Sequence, residues 1–533
     1  MAGGEVDGAF DAVVVGAGFA GLYMLHRLRG LGLKVRGLEA GDGVGGTWYW
    51  NRYPGARCDI ESLEYSYQFD EALQQEWSWR ERYAAQPEIL RYLNHVADRF
   101  DLRRDIELGV RVTAATWDEG EARWTLSTED GRRMAARFLV MATGCLSRPN
   151  TPKIEGLERF RGEVLHTGTW PHEGVDFTGQ RVALIGTGSS AVQSIPLIAA
   201  QARQLTVFQR TATYVAPARN GPLDPEVEAR VKADYKGFRA RASRELGAAN
   251  FDASDVPALA VSEEERRAVY DARWARGGLR FMGAFADLNI NAEANATAAE
   301  FLREKIRAIV KDPAVAEILS PRQTFGCKRM CVDSGYFETF NLPHVALVDA
   351  AATPIEAVTA TGVRTRAATY EVDSIVLATG FDAMTGALLA IDIRGRDGLP
   401  LKEAWAEGPK TYLGVAVAGF PNLFTISGPG SPSVLSNMVV SIEQHVDWIA
   451  DCIGQLQTRG LSVIEADAGA QEAWVEHVNA VADSTLFPTC NSWYLGANVP
   501  GKPRVFMPYL GFPAYAARCA EVAADGYEGF ATA

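Results

Sequence analysis

Short β-branched runs, each followed at once by glycine, recur along the chain: Asp11 to Val15 before Gly16, and Arg181 to Ile185 before Gly186. Their apolar residues are consecutive rather than alternating, as in strands buried on both faces of a parallel sheet. Leu22 to Leu31 follows the first run as a helix, and Lys34 to Leu38 as the next strand. Leu205 to Phe208 stands in the same relation to the second run. Phe138-Leu-Val-Met-Ala-Thr-Gly144 and Ser374-Ile-Val-Leu-Ala-Thr-Gly380 form another repeat, a strand plus Ala-Thr-Gly that closes each module. Strand character is lost between Pro217 and Ser320. There Asp224-Pro225 reads as an N-cap with proline at the first helical position. Val227, Val231, Tyr235 and Phe238 fall on one helical face, as do Leu302, Ile306, Ile309 and Val310, and Asp312-Pro313 restarts a helix.

The turns behind the two strands carry dinucleotide-binding spacing. In Gly16-Ala-Gly18-Phe19-Ala-Gly21 the first glycine permits the tight turn and the second lets a pyrophosphate approach the helix N-terminus. The third lets helix and strand pack closely. Glu39 ends the next strand, where a carboxylate accepts hydrogen bonds from a ribose diol. The second turn is Gly186-Thr187-Gly188-Ser189-Ser190-Ala191. At the interval that gave Glu39, it has Gln209 followed by Arg210, so a cation replaces the acid. A guanidinium pairs with a 2′-phosphate that a carboxylate would repel. The first site therefore suits FAD or NAD, and the second prefers NADPH.

These patterns predict an α/β protein with two Rossmann-like dinucleotide-binding domains and a helical insertion in the second. Residues 1–145 form the first part of the FAD-binding domain. Residues 146–216 open the NADP-binding domain, with a linker at 146–180. The insertion spans 217–320, residues 321–380 complete the NADP-binding domain, and 381–533 complete the FAD-binding domain and wall off a pocket. The linker contains Phe160, Gly162, His166, Trp170 and Pro171. Its position between two nucleotide sites suits it to couple them.

Composition narrows the function classes. The chain has 533 residues, 47% hydrophobic and 22% charged, and a net charge of -13. An acidic protein of this kind has no general affinity for nucleic acid. The apolar runs are far shorter than a membrane span needs, and Met1 to Phe10 lacks the basic-then-apolar order of a leader. The seven cysteines are scattered and odd in number, a poor disulfide framework, which predicts a reducing cytoplasmic compartment. No metal site and no membrane partner are expected, and the chain is expected to be a monomer or weak homo-oligomer.

After Glu39 comes Gly45-Gly46-Thr47-Trp48-Tyr-Trp50-Asn-Arg52-Tyr53-Pro54-Gly55-Ala-Arg57-Cys58-Asp59. Glycines let backbone lie against a flat ring system, and the aromatics supply planar apolar surface. A buried Asp59 would require a cationic partner. This stretch resembles the Gly-Gly-x-Trp-x-x-x-Arg-Tyr-Pro-Gly-x-x-x-Asp pattern of the Baeyer–Villiger monooxygenases. Phe160 to Pro171 matches that family's Phe-x-Gly-x-x-x-His-x-x-x-Trp-Pro fingerprint at every specified position. The resemblance covers nearly the whole chain and is closest to the phenylacetone and steroid monooxygenase branch.

The resemblance implies a reaction. NADPH reduces bound FAD, O2 gives a C4a-peroxyflavin, and oxygen is inserted beside the carbonyl of a bulky apolar ketone to give an ester or lactone, NADP+ and water. It implies that Arg329, in Gly326-Cys327-Lys328-Arg329-Met330, is the active-site cation and that Asp59 orients it; on its own the Lys328-Arg329 pair reads as solvated surface. Lys328 would join Arg210 at the 2′-phosphate. Phe19, Gly46, Thr47, Trp48 and Tyr65 would face FAD. Thr187, Gly188, Ser189, Ser190 and Thr211 would face NADPH, with Trp493 on a mobile loop beside it. Gln193 reads as a helix-surface residue. Leu435 and Met438 would line the substrate pocket, and His166 would serve domain movement rather than act as a base. The alternative is an S- or N-oxygenating flavin monooxygenase of the same superfamily. A disulfide reductase would need a cysteine pair near the flavin, where the sequence offers only Cys58. The chain departs from close relatives at Asn341-Leu342-Pro343-His344, at Leu510-Gly511-Phe512 and around Phe281 to Asn291, which leaves pocket shape open.

Overall fold

A computed structural model describes residues 7–533; residues 1–6, part of the N-terminal stretch read for a leader, lie outside it. The expected buried strands pair in parallel. Gly8–Val15 lies between Val35–Leu38 and Arg133–Met141 in an eight-stranded sheet. Val112–Asp118 and Arg123–Thr128 extend that sheet as antiparallel strands. Two late segments return to it: Leu423–Thr425 pairs with Arg133–Met141, and Asp392–Arg394 with Val112–Asp118. The chain beyond residue 380 therefore contributes strands to the first sheet. The helix Met438–Arg459 contacts Phe19–Gly30.

The second sheet is five-stranded and all parallel, in the order Val345–Asp349, Gln204–Gln209, Arg181–Ile185, Ser374–Leu377, Glu163–His166. Its edge strand comes from the linker fingerprint, with His166 opposite Leu377. Gly162 is required there: a Cβ would overlap the Asp373 carbonyl oxygen and press on the Phe160 ring. Trp170 is buried against Phe177 in the second core, and the Pro171 carbonyl accepts the Gly174 N–H.

The region between Val215–Pro217 and Cys331–Asp333, which pair with each other, is largely helical. Its main helices are Pro225–Ala233, Tyr235–Ala242, Glu263–Arg276, Ala292–Ile309 and Pro313–Leu319. Asp224 and Asp312 cap as expected. The stripe from Val227 to Phe238 is split into two helices, however. Asp234 leaves the helical conformation, and its carboxylate accepts the Gly237 N–H to cap the second helix. Asp competes for nearby backbone donors in this way, while Val227, Val231 and Phe238 still pack on the core beside buried Tyr235.

The cysteine expectation is corrected. Cys327 and Cys490 form a disulfide across 163 residues, and the other five cysteines are free and buried. Counting cysteines along the chain could not reveal a pairing that the tertiary fold creates. No helix among the described residues is long and apolar enough to cross a membrane.

Candidate active site

The first glycine turn is tightly enclosed. Gly16 has φ +110° and its absent Cβ would strike the Ala142 carbonyl; one on Gly21 would overlap the Gly16 carbonyl oxygen. The helix begins at Phe19, directly behind Gly18, rather than at Leu22. Gly18 caps it without any side-chain bond, which leaves N–H groups of the first turn for an anion. Gly46 lies against this turn: a Cβ on Gly18 would be 3.2 Å from the Gly46 Cα, and Gly45 N–H donates to the Ala17 carbonyl at 2.9 Å.

Glu39 is buried at 5% exposure and accepts from Ala17 N–H and Gly41 N–H, both at 2.8 Å. Burial raises its pKa against the lowering effect of these bonds. Each oxygen keeps lone-pair capacity for ribose hydroxyls. Phe19 and Tyr65 meet edge to face at 5.2 Å, and Trp48 Nε1 donates to the Tyr65 hydroxyl at 3.2 Å. Thr47 is exposed at the start of the short helix Thr47–Trp50.

Asp59 and Arg329, distant in the chain, meet in a two-pronged ion pair. Arg329 Nε donates to Asp59 Oδ2 at 2.7 Å and a terminal nitrogen to Oδ1 at 3.0 Å; the other terminal nitrogen donates to the Val434 carbonyl at 3.1 Å. The surface reading of Lys328-Arg329 fails. The Arg329 side chain is 23% exposed; burial opposes its charge, yet Asp59 raises its pKa overall. Three of a guanidinium's five N–H groups are thus used, leaving donors for a developing anion. Tyr494, which the sequence did not single out, lies beside this pair, and its hydroxyl is pushed up by burial.

The second turn is open. Gly186, φ +120°, packs on the Ala378 carbonyl, but a Cβ on Gly188 would meet nothing within 4 Å. Gly188 likewise caps its helix without a side-chain bond. Thr187 donates to the Thr211 carbonyl at 2.8 Å and the Ser190 hydroxyl meets Thr167 at 3.1 Å, so these groups brace the turn; Ser189 is exposed. Gln209 points inward and donates to the Ile318 carbonyl, which leaves Arg210 at the surface. Arg210, Thr211 and Lys328 line a cavity of about 380 Å³ with Asn491, Trp493, Ala497 and Asn498. Lys328 has its pKa lowered by burial and then by Arg210. Among the described residues neither cation has an ion-pair partner, and a doubly charged phosphate would supply it.

Two contacts correct or extend the expectations. Gln193 is a clasp between the modules, not a free helix-surface residue. Its amide accepts from the Tyr53 hydroxyl at 2.8 Å and donates to the Arg57 carbonyl at 3.1 Å. Arg280, from the helical region, pairs with Glu61 at 3.1 Å and Asp252 at 2.8 Å, which brings that region beside Asp59. No local periodicity marks either contact, because both partners are remote in sequence. Leu435 and Met438 are half-buried and pack in one cluster with Trp493. His166 accepts the Gly168 N–H on Nδ1 at 2.9 Å, so Nε2 carries the proton towards Thr379 Oγ1, 3.3 Å away. Burial lowers its pKa. Thr379 in turn donates to the Asn150 carbonyl. His166 thereby joins the linker to the Ala-Thr-Gly segment and stands away from the Asp59–Arg329 pair in these contacts.

The residues fit FAD at the enclosed turn and a 2′-phosphorylated nicotinamide dinucleotide at the open one. Among the described residues no cluster of His, Cys, Asp or Glu could hold a metal ion. Residues 13–250 match the family described as pyridine nucleotide-disulphide oxidoreductase. The chain is 44% identical to a Baeyer–Villiger monooxygenase of Pseudooceanicola batsensis, over 97% of this chain and 95% of that one. It is also 44% identical to a phenazine N-monooxygenase of Lysobacter antibioticus, over 98% and 96%. A solved structure of oxidized steroid monooxygenase bound to NADP superposes with a TM-score of 0.94 at 56% identity, covering 98% of this chain and 99% of that one. A closed crystal structure of cyclohexanone monooxygenase gives 0.96 at 45% identity, with the same coverage. The disulfide lies outside the matched residues 13–250, and Cys58 within them is free. The chain belongs to the Baeyer–Villiger monooxygenases, enzymes that work with FAD and NADPH.

Proposed function

We propose that this monooxygenase converts bulky apolar ketones (aryl, cyclic or steroid-like) and O2 to esters or lactones, with Arg329 as the catalytic cation and Asp59 as its orienting partner. The two-pronged Asp59–Arg329 pair carries the reading. Bound FAD, once reduced, supplies the activated oxygen. Arg329 offers its remaining N–H groups where negative charge develops, and its charge survives burial as a lysine's would not. Asp59 fixes the guanidinium plane, and the Val434 carbonyl fixes its rotation. Arg210 and Lys328 hold the 2′-phosphate, the backbone N–H groups behind Gly188 hold the pyrophosphate, and Trp493 covers the cavity. Leu435 and Met438 supply apolar wall to the ketone. The domain boundaries at 145, 216, 320 and 380 belong to this reading, supported by the two sheets and by the helical stretch entered and left through paired strands. So does a cytoplasmic location, supported by five free cysteines beside the single disulfide, and so does a monomer or weak homo-oligomer.

Nitrogen oxygenation is a second reading, favoured by the similarity to the phenazine N-monooxygenase. One experiment separates them. The holoenzyme is given NADPH, O2 and a panel of aryl, macrocyclic and steroid ketones alongside a phenazine and a thioether, with products identified by mass spectrometry. Ester or lactone from a ketone is expected. Oxygenated phenazine or sulfoxide with no ester from any ketone would overturn the first reading.

A further inference from the structure

Cys327 immediately precedes Lys328 and Arg329, and Cys490 immediately precedes the segment whose Asn491, Trp493, Ala497 and Asn498 line the cavity facing them. Their Cα atoms are 5.5 Å apart, within the usual bridging range of about 4.4–6.8 Å. The bond therefore ties one wall of the cavity to the other. The remaining ties of that segment are non-covalent: Tyr494 meets the Arg329 backbone, and the others reach elsewhere. Asn498 donates to the Phe381 carbonyl at 2.7 Å and accepts from Asn150 at 3.1 Å, and Lys502 pairs with Asp382 at 2.7 Å. Leu486 N–H donates to the Asn289 carbonyl just before the cysteine. On the Lys328 side, then, the disulfide is the covalent fastening of the stretch that begins at Asn491.

We propose that Cys327 and Cys490 form a reversible dithiol–disulfide latch that holds the 490–498 segment against Lys328 and slows exchange of the nicotinamide dinucleotide. Cys327 is 4% exposed, whereas Cys490 is half-buried, so exchange starts at Cys490. A thiolate of a dithiol attacks the Cys490 sulfur, a mixed disulfide forms, and Cys327 leaves as thiolate and takes a proton. The second thiol of the reagent then closes on the first and releases Cys490. One disulfide breaks, another forms, and two electrons pass to the protein. With oxidised glutathione the Cys490 thiolate attacks one glutathione sulfur and releases one glutathione thiol, and Cys327 then closes on the Cys490 sulfur and releases the second, so that two electrons pass back to the reagent. The effect on exchange rests on the proposed placement of the nucleotide at Arg210 and Lys328; the crosslink itself does not.

The test uses the full-length FAD-bound protein, equilibrated either with oxidised glutathione or with dithiothreitol and then freed of reagent. Thiol titration after denaturation should count five thiols in the oxidised protein, the free cysteines, and seven in the reduced one, every cysteine in the chain. A non-reduced digest should contain the peptide linking Cys327 to Cys490. NADP+ release, followed by stopped-flow fluorescence, should be roughly tenfold faster in the reduced form, since such differences fall mainly on the dissociation rate. Cys490→Ser should release NADP+ at the fast rate under both conditions. Seven thiols after oxidation would overturn the crosslink, and equal release rates in the two wild-type forms would overturn the latch. Both wild-type measurements stand even if the variant fails to fold. Failure of the nucleotide placement is recognised separately, by Arg210→Ala leaving the preference for NADPH over NADH unchanged.

Discussion

The two glycine turns share a backbone design and differ in what surrounds them. At the first, Gly45 and Gly46 lie against the turn, a Cβ on Gly21 would overlap backbone, and Glu39 is buried with one oxygen bonded to Ala17 in the turn and the other to Gly41 just beyond its own strand. At the second, Gly188 faces open space, buried Ala191 occupies the position of Gly21, and Arg210 stands exposed beside Lys328 at a cavity. The enclosed turn suits a cofactor that stays bound through many turnovers, and the open one suits a cofactor that arrives and leaves. Packing density around the same loop, together with the charge at the strand end, separates a resident group from an exchanging one.

The sharpest way to break this division is to remove the cation proposed to serve the oxygenation step. Arg329→Ala should lower ester formation at least roughly 10²- to 10³-fold while NADPH still bleaches the flavin absorbance in anaerobic stopped-flow. Retained oxygenation would remove Arg329 from its role, and lost flavin reduction would move it to the nucleotide side. A smaller but still large effect is expected at the enclosed turn. Glu39→Ala leaves the buried Ala17 and Gly41 N–H groups unpaired, at about 1–3 kcal/mol each. The purified variant should carry FAD well below stoichiometry, read from the ratio of flavin to protein absorbance.

At the open turn, Arg210→Ala should raise KM for NADPH roughly 10- to 100-fold and leave KM for NADH nearly unchanged; equal rises would sink the 2′-phosphate contact. The smallest effect concerns pH. Burial and Arg210 lower the pKa of Lys328, so the free enzyme loses this charge as pH rises, before an ordinary lysine would. kcat/KM for NADPH should fall over that alkaline window by a few-fold, because Arg210 remains charged. Lys328→Arg should flatten the profile, and an unchanged profile would mean that Lys328 does not meet the phosphate.

Much of the fold was legible because its determinants are local. The run from Asp11 to Val15, the glycines behind it and Glu39 at the end of the next strand specify a βαβ unit over a short stretch, and the contrast with Gln209-Arg210 at the matching strand end pointed to two different nucleotides. Asp224 and Asp312 announced their helices for the same reason. Where a local signal misled, another local competitor won: Asp234 took the Gly237 N–H and divided one apolar stripe into two helices. The family resemblance, rather than spacing or composition, pointed to Arg329 and Asp59, since a basic pair by itself reads as surface.

By itself, the sequence determined two glycine turns of nucleotide-binding spacing, an acid at the strand end after one and a cation after the other, and a helical stretch between Pro217 and Ser320. Turn geometry, capping and hydrophobic period act over a few residues and so are written in order along the chain. Only the tertiary structure decided that Phe160 to Pro171 contributes an edge strand to the second sheet, that Gln193 clasps the two modules, and that Cys327 reaches Cys490. Such contacts join segments remote in sequence, and their energy comes from closing the fold around them. No periodicity or spacing records them before the chain is packed.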